Sequence, residues 1–197
     1  MTRAEQTELG YEYFNIANAI YQGRGFSDPF GAPTGATGWS PPILPYVISG
    51  MLWVCNGSRD GAAICFLSMH VFVLSLTGTI ALNIGRRFKA TWLAAIAIAI
   101  GMMPNFGWIF QKTHDSVFQM FWVNLIFLGL WFWRVPPKKT SSIIGWGIFG
   151  GLCALAGPAA GLTWAAGTAC LWGFRYWKLV ACIGLISALT VAPWVTY

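Results

Sequence analysis

Charge is scarce in this chain. Only 9% of its 197 residues are Asp, Glu, Lys or Arg, six of them acidic, while 56% are hydrophobic, and the mean hydropathy is +0.59. A soluble domain carries roughly a quarter of its residues as charges, so an ordinary water-soluble fold is excluded and the bilayer is the expected solvent. His114 has no His or Cys partner at metal-ligand spacing, which argues against a zinc site. Five cysteines occur, none in a Cys-x-x-Cys pair. Four of them lie in apolar runs and read as small buried hydrophobes. The first dozen residues place glutamates ahead of any apolar stretch, which is wrong for a cleavable export signal. The net charge of +6 comes from Lys and Arg scattered singly between apolar segments. That pattern speaks for membrane topology and against a nucleic-acid partner, and no cofactor is expected.

What is abundant is apolar sequence cut into helical lengths. At about 20 residues per crossing, the chain has room for roughly six or seven spans and no separate soluble domain. Residues 6–22 carry Leu9, Tyr13, Ile16, Ala17 and Ile20 at helical spacing among polar residues, which predicts an interfacial amphipathic helix. Residues 23–42 are dense in Gly, Pro, Ser and Thr and predict a loop ordered by turn chemistry, with Phe26, Phe30 and Trp39 as apolar anchors. The stretch 43–55 is too short to span and contains Pro45, so a juxtamembrane or re-entrant helix is expected. Spans are expected over 62–84, 91–103, 117–133, 143–156, 159–174 and 179–194, with Pro193 marking the last exit. The division is therefore an external part, residues 1–61, holding amphipathic helix, loop and juxtamembrane helix, followed by a transmembrane helical bundle over 62–197.

Loop charges orient this arrangement. Arg86, Arg87, Lys89, Arg134, Lys138, Lys139, Arg175 and Lys178 are eight of the twelve basic residues, and alternation collects them on one face. Cytoplasmic loops gather Lys and Arg. The six acids, Glu5, Glu8, Glu12, Asp28, Asp60 and Asp115, then share the opposite, non-cytoplasmic face with both termini. The chain reads as an all-α integral membrane protein, and the resemblance that follows implies the bacterial cytoplasmic (inner) membrane.

The segment GYEYFNIANAIYQGRGFSDPFGAPTGATGWSPPILPY, residues 10–46, resembles the first external loop of bacterial family-39 glycosyltransferases of the GT-C superfamily. The resembling elements are Glu12 ahead of Ile16-Ala17, Gly23-Arg24-Gly25-Phe26-Ser27, Pro29-Phe30-Gly31, and Thr34 to Trp39 leading into Pro41-Pro42. Weaker similarity continues through Gly85-Arg86-Arg87-Phe88, Asp115, Gly150 to Leu155 and Pro193-Trp194. Family members begin with a further membrane helix and continue past the Pro-Trp exit, so the chain resembles an N-terminal portion of such an enzyme, without the first helix and the C-terminal half.

The resemblance implies a GT-C-like bundle that moves a sugar from a polyprenyl-phosphate donor to a lipid or protein acceptor. That chemistry needs a carboxylate to deprotonate the acceptor and cations to hold the departing phosphate. Glu12 is the expected base, Asp115 a second acid, and Glu8 shares the helix face of Glu12. Arg24, Lys112 and His114 are the expected phosphate or lipid-headgroup contacts, and no metal is called for. Plainer readings stand beside these: a solvated face for Glu8 and Glu12, a helix N-cap for Asp115, and a hydrogen-bonded neutral His70 inside a span. The many tryptophans fit an interfacial belt, and Gly145, Gly147, Gly150 and Gly151 fit close helix packing. A second functional class stays open, a catalytically silent relative serving as accessory subunit of a larger membrane assembly. A transporter has less behind it, with only Gly157-Pro158 resembling a broken helix.

Overall fold

The computed structural model describes residues 11–38, 40–87, 89–92, 95, 114–133, 135–173 and 175–195, with the side chains at 11, 84, 87 and 114–116 excepted. Among the described residues the chain is all-helical, with seven helices: α1 Tyr11–Tyr21, α2 Ile43–Val54, α3 Arg59–Arg87, α4 His114–Phe132, α5 Thr140–Ala156, α6 Pro158–Trp172 and α7 Trp177–Val195. Two compact units divide the chain, one formed by Met1–Ser40 with Leu44–Phe121, the other by Pro41–Ile43 with Trp122–Tyr197. The helix expected over 91–103 falls largely outside the described residues.

In the first unit, helix ends are set by one backbone device used three times. At the end of α1 the Gly23 N–H donates to Ile20 O (3.0 Å) and the Arg24 N–H to Ala19 O (2.9 Å), with Gly23 left-handed at φ +76°. This is the Schellman closure, which satisfies carbonyls the helix leaves open. Asn56 (φ +51°) and Lys89 (φ +54°) occupy the same place after α2 and α3, where Gly57 N–H reaches Leu52 O at 2.8 Å and Ala90 N–H reaches Gly85 O at 2.8 Å. Ser58 then caps α3, its hydroxyl oxygen accepting from the Gly61 N–H at 3.1 Å. The four residues Cys55 to Ser58 therefore suffice to turn the chain from α2 into α3.

Helix α2 buries Leu44, Pro45, Ile48, Ser49 and Leu52, one helical stripe, while Trp53 and Val54 are exposed. Pro45 falls in the first turn, where the missing N–H breaks no intrahelical bond. Fully burying Leu44, Ile48 and Leu52 is worth about 1.5–3 kcal/mol each against exposure to water. Helix α3 differs in kind. Its buried stripe is Ala62, Ala63, Phe66, His70 and Val73, and the rest of its surface exposes Ile64, Leu67, Val71 and Phe72. Its portion Arg59–Asn83 and the helix Trp177–Val195 are both long and apolar enough to cross a membrane. Six hydroxyls on α3, α6 and α7, those of Ser68, Ser75, Thr77, Thr79, Thr163 and Thr190, donate to the carbonyl four residues earlier. Each of these hydroxyls is satisfied within its own helix.

The second unit is organised around α5, which packs on both α6 and α7. A Cβ added at Gly147 would stand 2.7 Å from Ile186, and one at Gly151 would stand 2.5 Å from Thr190. The bare backbone at these two positions, four apart, lets α7 approach closely. Gly150 faces α6, where a methyl group would overlap the indole of Trp164. Gly145 has open space around it, so of the four glycines expected to serve packing, three do.

Indoles fill what the glycines leave. Trp146 meets Trp133 edge-on at 5.0 Å, stacks on Phe149 at 5.3 Å, and lies 6.0 Å from Trp164 and 6.3 Å from Trp172. Its N–H donates to the Thr168 hydroxyl at 3.1 Å, and the Trp172 N–H donates to Trp133 O at 3.2 Å. Trp133 and Trp172, expected in an interfacial belt, instead belong to this core. A large ring beside a helix end reads the same from sequence whether it faces headgroups or a neighbouring helix. Helix α7 runs through Pro193 to Val195, so that proline does not end it.

Candidate functional site

The described residues singled out for chemistry, Glu12, Arg24, His114 and Asp115, belong to the first unit. Glu12 lies in the first turn of α1, half-buried, where the helix dipole favours a carboxylate. Two residues on, the Phe14 ring carries the guanidinium of Arg59 at 4.7 Å from its centroid. This cation–π contact ties the first turn of α1 to the first residue of α3. One turn from Glu12, the Asn15 side-chain amide donates to Pro29 O at 3.0 Å, anchoring the long loop to α1.

The loop itself is built around Asp28. Ser27 and Ala36 form an antiparallel bridge, and Thr37 N–H donates to Phe26 O at 3.1 Å and Asp28 N–H to Gly35 O at 3.2 Å. Inside this narrow turn the buried Asp28 carboxylate accepts from Thr34 N–H at 2.9 Å and Gly35 N–H at 3.1 Å on one oxygen. Its other oxygen is ion-paired with Arg24. Asp28 takes a left-handed backbone, φ +58°, which Asp tolerates better than most residues. Burial by itself pushes the Asp28 carboxyl up, but the Gly35 and Thr34 N–H groups, the Arg24 charge and the Ser27 side chain together outweigh it and hold the pKa below the usual carboxylate value. Phe26 is the loop's buried anchor and meets the Tyr46 ring at 6.0 Å. Phe30, also expected as an anchor, is exposed, and Trp39 lies outside the described residues.

Arg24 thus has two neighbours. Its second terminal nitrogen donates to the Gln22 side-chain oxygen at 2.9 Å, and 45% of its side chain stays exposed. The pair with Asp28 is electrically neutral, so an anionic ligand at Arg24 has to compete with a carboxylate already in place. Glu8 and Lys112 lie outside the described residues. His114 and Asp115 fall within the first turn of α4, their side chains outside the description. With α4 beginning at His114, Asp115 stands inside the helix rather than at its N-cap.

Sequence reasoning passed over Asp28, Arg59 and Phe14. Asp28 had a usable signal, an Arg four residues before it and a Gly-rich turn after it. The Arg59 and Phe14 contact joins residues far apart in sequence and has none. Among the described residues no group of three or more His, Cys, Asp or Glu is placed to hold a metal ion. Comparison with protein-family models, with curated proteins and with solved structures returned no match for this chain.

Proposed function

We propose that this chain is a membrane-embedded sugar-transfer protein of GT-C type, working at the non-cytoplasmic surface on a polyprenyl-phosphate sugar, with Glu12 as the acceptor's base. The observation that supports this best is the Arg59 contact with Phe14, which sets the turn carrying Glu12 beside the start of the long apolar helix α3. A lipid-linked donor needs its reacting phosphate at such a level, the surface end of a helix whose sides face lipid. Arg24, Lys112 and His114 are the proposed phosphate contacts, Asp115 and Glu8 the supporting carboxylates, and membrane lipids the surrounding partner. The neutral Arg24 and Asp28 pair favours a second reading, in which the loop is a folded docking element of an accessory subunit bound to other membrane proteins.

Sugar transfer from a polyprenyl-phosphate donor, measured beside recovery of any native complex, separates the two. Under the first reading Glu12→Gln lowers transfer by about 10²-fold or more and leaves folding unchanged. No transfer by the wild-type chain with any donor, and a complex lost only when the loop is disrupted through Asp28→Ala, would leave the subunit reading alone.

A further inference from the structure

Cys55 and Cys65 stand ten residues apart with no Cys-x-x-Cys motif to link them, yet the fold brings them together. The Schellman closure at Asn56 and Gly57 and the cap at Ser58 reverse the chain so tightly that the Cys55 sulfur lies 3.7 Å from the Cys65 sulfur on α3. Gly61 makes the room, since a Cβ there would stand 3.0 Å from the Cys55 Cβ and 3.1 Å from its sulfur. Both thiols are half-buried and unbridged. The other three cysteines are on separate helices of the second unit, Cys153 on α5, Cys170 on α6 and Cys182 on α7.

We propose that Cys55 and Cys65 are a redox modification site, closed to a disulfide by exchange with an external disulfide donor, and that the bond clamps the end of α2 to α3. Sulfurs in van der Waals contact need only a modest side-chain rotation to reach bonding distance. In the exchange, one protein thiolate attacks a sulfur of the donor disulfide and releases one donor thiol. The second protein thiolate then attacks the protein sulfur of the mixed disulfide and releases the other. Two protein thiols are oxidised, the donor is reduced to two thiols, and the two protons end on the donor. The charge-derived topology supplies the setting, because it puts the junction of α2 and α3 on the non-cytoplasmic side, where disulfides persist. Burial, then the Cys65 neighbour, pushes the Cys55 thiol up.

The test uses the full chain in its native membranes, quenched in acid, alkylated with a maleimide, and mapped by mass spectrometry with and without prior reduction. The expected result is a peptide linking Cys55 and Cys65 before reduction and two alkylated cysteines after it, with Cys65 alkylated under all conditions in Cys55→Ser. Reduction should also raise amide exchange over residues 57–62 by about ten- to a hundredfold. Alkylation of both residues without reduction overturns the proposal. Because the setting rests on the topology, Ser58→Cys in a Cys55→Ser, Cys65→Ser background is labelled in parallel with an impermeant reagent. Free thiols with Ser58→Cys labelled from outside defeat the disulfide alone, and free thiols with Ser58→Cys protected defeat both.

Discussion

Gly150→Ala is the most discriminating perturbation of the helical core. The added methyl would overlap three atoms of the Trp164 indole, and that ring has no easy retreat, being 6% exposed and lodged beside Trp146. Overpacking of this kind costs about 1–3 kcal/mol, against which alanine regains about 0.5–1 kcal/mol of helix propensity, for a net loss of up to about 2.5 kcal/mol. Gly145→Ala, five residues earlier in the same helix and facing open space, should show only the gain of about 0.5–1 kcal/mol. Trp164→Ala alone should cost about 3–5 kcal/mol. On that background Gly150→Ala should turn into a gain, giving a coupling of about 1–3 kcal/mol between the two sites. Denaturant unfolding in mixed micelles, followed by tryptophan fluorescence, measures all four variants. Equal effects of Gly145→Ala and Gly150→Ala, or a Gly150→Ala cost that survives removal of the indole, would refute the packing described here.

The Asp28 carboxyl, held below its usual pKa when folded, makes loop stability complete above about pH 3.8 and lost as pH falls through the lower folded value. Asp28→Asn should mimic the acid state at neutral pH, with amide exchange at Thr34 and Gly35 faster by about tenfold or more, and unchanged exchange would contradict the cage. Lys89→Gly should raise stability, by up to about 1.7 kcal/mol, because relief of a left-handed backbone, about 1–2 kcal/mol, outweighs the lost cation at the helix end, about 0.3–1 kcal/mol. A destabilised variant in the same unfolding assay would count against that assignment.

How much of this was legible beforehand depended on the range of the signal. The existence of α2, α3, α5, α6 and α7 followed from apolar runs between Pro, Gly and basic stops, and the ordered loop from its turn residues. Helix ends shifted by a few residues, because Asn56 and Lys89 close helices with a conformation that sequence usually assigns to glycine. Gly147, Gly150 and Gly151 were recognisable as packing positions, yet only the coordinates show which partner each admits. For the site, Glu12 on α1 and Arg24 at the loop's start were visible as charges in an uncharged chain. Of their neighbours only Asp28 left a signal, four residues after Arg24 and ahead of a Gly-rich turn. Arg59 over Phe14 depends on a tertiary meeting, and Cys55 beside Cys65 on a four-residue turn whose tightness no spacing rule reports.

The glycine face of α5 also sets a schedule for the chain's own biogenesis. Positions 147 and 151 expose bare backbone until α7 covers them, and α7 is made after α5 and α6. At roughly 5–20 residues per second, the 19 residues of α7 take about 1–4 s to emerge. During that interval a second chain, or any helix with a small-residue face, finds the same groove open. Protection comes from proximity, since α6 and α7 follow α5 through short connections and reach it before a diffusing competitor does. Slowing synthesis between Trp172 and Val195 would lengthen the vacancy and raise misassembly without altering a single contact of the finished fold.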